Sequence, residues 1–134
     1  MQHKNELVIW YLEKADDALI AAKDNINLNH LDAAQNRIYY SIFYVISTLA
    51  IINNFATAKH KQLMGWFNKK FIYEEKIFDN NIMDIYKDAF LKRQKSDYEK
   101  MFYANKEEVE ALLDKAVYFV KTVKNYILKE LETK

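Results

Sequence analysis

Apolar residues in this chain recur at helical spacing almost from end to end. Leu7, Trp10, Tyr11, Ala15, Ala18 and Ala22 repeat three and four residues apart, with Glu13, Lys14, Asp17 and Asp24 between them. That period predicts a helix from about Glu6 to about Asn25. The polar run Asn25-Ile26-Asn27-Leu28-Asn29 supplies a turn, with Asn29 as the expected N-cap of a second helix. This helix is predicted from about His30 to Asn53, about 36 Å long at 1.5 Å per residue. Asn53-Asn54 suits a left-handed stop. A shorter third helix is predicted over His60–Ile72 on the stripe Leu63, Met64, Phe67 and Phe71, followed by a connector at 73–80. A fourth is predicted from about Asn81 to Lys95, carrying Ile82, Ile85, Tyr86, Ala89 and Phe90. The last helix has the clearest start, because Asn105 precedes Glu108 by three residues as in a capping box. Its stripe runs from Val109 to Leu131, and Leu113, Val120 and Ile127 stand seven apart, as at a helix–helix interface. Short loops between long helices favour antiparallel neighbours. The expected fold is therefore all-α: an up-down bundle of four long helices plus one shorter helix, in a single domain spanning residues 1–134.

Composition reinforces the helical reading. The chain has no proline, no cysteine and one glycine, Gly65. Primed hairpin turns and glycine-rich phosphate loops thus lack their usual residues. Disulfide frameworks, thiolate zinc sites and cysteine nucleophiles are excluded. Twenty Lys and Arg balance 19 Asp and Glu, so no global basic field attracts nucleic acid. The N-terminal residues lack the apolar run of a signal peptide, and a reduced, cytoplasmic setting is expected. Ile38–Ala58 is uncharged over 21 residues, long enough to cross a bilayer. It contains five hydroxyl-bearing Tyr and Ser residues before Thr48, however, and Asn53 and Asn54 further on. A buried central helix accounts for it better than a membrane span.

No metal or cofactor is expected. None of His3, His30 and His60 follows a Glu by three residues, and no His-x-x-x-His pair occurs. Serine-hydrolase and Walker motifs are missing as well. Polar residues in apolar surroundings remain. Arg37, Tyr40 and Tyr44 share one face of the second helix, where Arg37 leads the uncharged stretch and calls for a carboxylate or phosphate partner. Lys92, Arg93 and Lys95 cluster at the end of the fourth helix, and Asp97 and Tyr98 follow in the expected connector. Arg93 and Asp97 are one turn apart, and Asp97 is the expected partner of Arg37. Only these two of the 20 basic residues, Arg37 and Arg93, are arginine.

Three motifs in order carry a resemblance. Arg37-x-Tyr39-Tyr40-x-x-Phe43-Tyr44, then His60 with Phe67 and Phe71, then Arg93-Gln94-x-x-Asp97-Tyr98, resemble the small HEPN family (higher eukaryotes and prokaryotes nucleotide-binding). The similarity is to the branch often encoded beside a minimal nucleotidyltransferase. It implies a four- to five-helix bundle, usually a homodimer with a groove between subunits. Many members are metal-independent ribonucleases, and several are toxins held by a nucleotidyltransferase antitoxin. Their signature is an arginine followed four to six residues later by histidine. Arg93 matches that arginine, but the histidine positions hold Asp97, Tyr98 and Glu99, and no histidine follows His60.

Metal-free RNA cleavage needs a group that moves a proton near neutral pH, which suits histidine. Unperturbed Asp is too acidic and Tyr too basic. The chain is therefore expected to be a binding module rather than an enzyme. Its groove, of Arg37, Tyr40, Tyr44, Arg93, Asp97 and Tyr98, would hold a nucleotide or RNA, with Lys92, Lys95 and Lys69-Lys70 attracting phosphate. The expected partners are a second copy and a nucleotidyltransferase-type protein, with no membrane. Two alternatives stay open: an atypical toxin ribonuclease using Arg93 with Asp97 or Tyr98, and a purely structural dimerisation module. His60 is expected to make a helix-start or core-edge hydrogen bond.

Overall fold

The computed structural model describes residues 2–98 and 103–133. Five α-helices follow one another: α1 (Gln2–Asn27), α2 (Leu31–Ile52), α3 (His60–Phe67), α4 (Asn80–Tyr98) and α5 (Lys106–Glu132). A π-helical segment, Asn68–Glu74, extends α3, and no strand occurs among the described residues. Cross-helix contacts give the directions. Ser96 at the end of α4 donates to Gln35 near the start of α2, and Tyr39 meets Phe90, so these two helices run antiparallel. Lys124 of α5 bonds Asp16 of α1 at 2.8 Å. The result is the expected all-α, up-down bundle, with α2 packed against each of the other four helices. No helix among the described residues is long and apolar enough to cross a membrane.

The central place of α2 accounts for its uncharged run from Ile38 onward. Ile38, Ile42, Val45, Ile46 and Leu49 are fully enclosed. Its buried serine and threonine hydroxyls are satisfied within the helix: Ser41 donates to the Ile38 carbonyl and Thr48 to that of Tyr44. Around it α5 buries Val109, Leu112, Ala116, Phe119, Val120, Val123 and Ile127. Val120 and Ile127, expected at a helix–helix interface, thus serve the chain's own core. In α1 the buried stripe is Val8, Leu12, Ala15, Ala18, Ala22 and Ile26. Leu7 and Trp10 face outward instead, because the alanine positions are compatible with a stripe turned by about one residue.

Helix ends show how a chain almost without glycine makes its turns. Asn29 has φ 62° and closes α1 rather than capping α2. Its N–H donates to the Ile26 carbonyl and that of His30 to Asn25, the double bond of a Schellman motif. Asn54, with φ 57°, repeats the pattern after α2, where its N–H reaches Ile51 and that of Phe55 reaches Ala50. The third predicted helix stops being α-helical at Phe67. The wider π turns that follow keep Phe71 and Ile72 in the core. At its other end the fourth helix is longer than expected, so that Asp97 and Tyr98 are helical. Asn105 caps α5 as its spacing predicts, accepting from the Glu108 N–H at 3.1 Å.

Candidate functional site

Four elements converge on one face of α2. Arg93 reaches it from α4, with its guanidinium carbon 5.2 Å from the centre of the Tyr39 ring and 5.3 Å from that of Tyr40. Cation–π attraction holds the cation there while the surrounding rings strip part of its water. Arg93 Nε lies 3.1 Å from Asp97 Oδ2, one turn on. Its N–H is not aimed at that oxygen, and Nε is buried without a hydrogen-bond partner among the described residues. The pair therefore neutralises charge without a directed bond. No hydrogen bond among the described residues engages the Nη groups.

Arg37 lies over Tyr40 too, at 5.1 Å. It does not pair with Asp97 as expected. Asn36 Oδ1 accepts from its Nε at 3.1 Å and from its Nη2 at 2.8 Å. A neutral amide one residue away has answered the need for a forked acceptor, leaving the charge itself unmatched. Arg37 and Asp97 nonetheless border one shallow cleft of about 390 Å³, together with Asn25, Asp32, Ala33 and Asn36.

An aromatic row leads away from the arginines. Tyr40 meets Tyr44 at 5.8 Å, Tyr44 meets Tyr11 of α1 at 6.0 Å, and Tyr11 meets Trp10 at 5.0 Å. Lys14 sits over Trp10 at 5.2 Å. Trp10 and Tyr11 were expected in the core. Their place here is legible only once α1 is turned to bury Val8 and Leu12.

His60, the first residue of α3, completes the group. Its Nδ1 is 2.6 Å from the Tyr39 hydroxyl, and its ring stacks on Phe43 at 4.5 Å and 11°. Burial, and secondarily the Arg93 charge, hold it below the usual imidazole range. Burial likewise pushes Tyr39 well above the usual phenol range, so its hydroxyl stays neutral. The expected core-edge hydrogen bond is present, but its setting beside Arg93 had no signal in local spacing.

The remaining sequence-derived residues lie elsewhere. Tyr98 is 74% exposed and lines a surface hollow with Leu91, Gln94 and Lys95, on a face of α4 turned away from Arg93. Lys92 faces α5, where its Nζ lies 3.7 Å from Glu108. Lys70 pairs with Glu75 at 2.7 Å. Glu99 lies outside the described residues. The structure thus brings Arg37, Tyr40, Tyr44, Arg93 and Asp97 together and leaves Tyr98, Lys92 and Lys95 apart, because one turn of α4 points its neighbours in different directions. No cluster of three or more His, Asp or Glu side chains suited to a metal occurs among the described residues.

The chain is similar along most of its length to two curated proteins. One, from Methanocaldococcus jannaschii and described as a candidate toxin, is 32% identical over 130 residues, covering 97% of this chain and 87% of the relative. The other is a UPF0332 protein of Thermotoga maritima, 27% identical over 127 residues, covering 95% and 96% respectively. The HEPN domain family matches residues 8–126, which include α2, His60, Arg93 and Asp97. With that match over most of the bundle, the chain belongs to the HEPN domain family.

Proposed function

We propose that this chain is a toxin-type HEPN domain that binds single-stranded RNA, or a nucleotide as its smallest unit, on the face where α1, α2, α3 and α4 meet. The observation that carries this reading is the Arg93 guanidinium, laid over Tyr39 and Tyr40 with its Nη groups uncommitted among the described residues. A phosphate can take two parallel N–H bonds from such a fork. Tyr40, Tyr44 and Tyr11 offer neighbouring π surfaces on which unpaired bases stack, a sequence-tolerant contact. Arg37 adds a second cation beside the same ring. Similarity to a candidate toxin of M. jannaschii favours a toxin-type role over a purely structural one. In this reading the chain is a homodimer and the partner of a nucleotidyltransferase-type protein, in a toxin–antitoxin-like pair.

The test is equilibrium binding of a short fluorescent single-stranded RNA. Arg93→Met keeps the apolar stem and removes the fork. It should weaken binding roughly tenfold to a hundredfold, the worth of a hydrogen bond to a charged group. Lys95→Met, on the other side of α4, should change little. Equal affinity for wild type and Arg93→Met contradicts the reading.

A further inference from the structure

The aromatic row does not end where the arginines do. From the Tyr40 ring that Arg37 and Arg93 share, it runs through Tyr44 and Tyr11 to Trp10 in steps of 5.8, 6.0 and 5.0 Å. The three tyrosines are partly buried, whereas Trp10 is 47% exposed and lies outside the packed core. Lys14, one turn along α1, lays its Nζ over the indole at 5.2 Å and makes no ion pair among the described residues. The row thus has rings along its length and a cation at each end. We propose that Trp10 and Lys14 form a distal nucleotide subsite on α1, so that the ligand of this face is a single strand of about four nucleotides, one base to each ring, rather than a free mononucleotide. This rests on the RNA-binding reading above and deepens it by fixing the length of the ligand and the place of its far end.

Ring spacing and tilt decide what kind of nucleic acid fits. Successive rings stand 5.0 to 6.0 Å apart, well beyond the ~3.4 Å rise of stacked bases. Tilts of 45° and 41° separate Tyr40 from Tyr44 and Tyr44 from Tyr11, and Trp10 meets Tyr11 edge to face at 81°. Bases laid on these rings are turned out of line with one another. A base-paired helix does not permit that, and an unpaired strand does. Energies favour a base over the lysine at the far end. Cation–π attraction at an exposed site contributes about 0.5–1 kcal/mol, and a base stacked on an aromatic side chain about 1–3 kcal/mol. A base arriving at Trp10 therefore displaces the Lys14 ammonium from the ring. On its flexible stem the ammonium then meets the phosphate that joins this base to its neighbour. At the other end the Arg93 fork takes a phosphate as in the reading above, so the strand is held at both ends.

The experiment titrates the full chain with uridylates of one to six nucleotides, followed by calorimetry. Affinity should climb with length to about four nucleotides and then level. Trp10→Ala should weaken binding of the tetramer by about five- to a hundredfold, the worth of one stacked base, and leave uridine monophosphate unaffected. Lys14→Met should lower the slope of log affinity against log salt by about 0.7 for the tetramer, the share of one phosphate on a single strand. Trp10 also reports directly. In a Trp66→Phe background it is the one tryptophan left of two, and its fluorescence should change with the tetramer and not with the mononucleotide. If Trp66→Phe fails to fold, the length series on Trp10→Ala carries the test. Trp10→Ala that binds every length as wild type does overturns the proposal and lets the Arg93-centred reading stand. An equal loss at every length overturns it too, because it marks a general disturbance of α1. Absence of RNA binding by wild type overturns both.

Discussion

Arg93 is a cation whose solvation has been partly replaced by two tyrosine rings and one carboxylate, and its neighbours feel that substitution. His60 is one titratable group that does so. Its folded pKa is lowered by burial first and by Arg93 second. Between that value and the ordinary imidazole pKa of about 6.5, the unfolded chain binds more protons than the folded one. Stability therefore rises with pH through this window and is lost as pH falls from neutrality. His60→Gln should lose less of its urea midpoint than wild type between pH 7.5 and about pH 5, a window set by the ordinary imidazole value. Equal losses in the two proteins would mean that the folded state does not resist protonation of His60. At this scale the sequence was only partly readable. Two arginines in a lysine-dominated chain marked two positions that meet over the Tyr40 ring, because a forked cation is the costly choice near apolar surface. The partners were not readable: Asn36 rather than Asp97 meets Arg37, and His60 reaches Tyr39 across 21 residues.

Helices were legible where periodicity and caps agreed, and illegible where either stood alone. Asn105 and the long stripe of α5 agreed, and that helix begins where the spacing predicts. Asn29 offered a cap without a direction. It closes α1, since a left-handed residue in a chain with one glycine falls to asparagine. α1 offered a stripe without a unique rotation, and Trp10 went to the surface row instead of the core. The switch from α to π after Phe67 depends on where Phe71 and Phe78 meet in the core, 6.1 Å apart, which local propensity does not encode. The single glycine is a useful probe here. Gly65 lies inside α3 without positive φ, and a Cβ added there would meet nothing within 4 Å. Gly65→Ala should therefore stabilise the protein by about 0.5–1 kcal/mol in urea unfolding, through lost freedom of the unfolded chain. A destabilised variant would show that α3 needs glycine for close approach.

For the molecule as a whole, α2 ties fold to site. One side of it forms the centre of the core, and the other carries Arg37, Tyr40 and Tyr44 between α1 and α4. The uncharged run that raised a membrane question is the price of that double duty. In the proposed reading, the same placement confines recognition to one face, away from the outer side of α4 where Tyr98 and Lys95 lie. As a homodimer, the protein should scatter light as twice 16.0 kDa at tens of micromolar, a concentration range set by ordinary dimer affinities. A mass of one chain removes that part of the proposal. The face itself is tested most directly by nuclear magnetic resonance with a short single-stranded RNA titrated into the labelled protein. Shifts should concentrate on Tyr11, Arg37, Tyr40, Tyr44, His60 and Arg93, leaving Leu91, Lys95 and Tyr98 unmoved. Shifts confined to the outer face of α4, or none at all, would contradict an Arg93-centred RNA site.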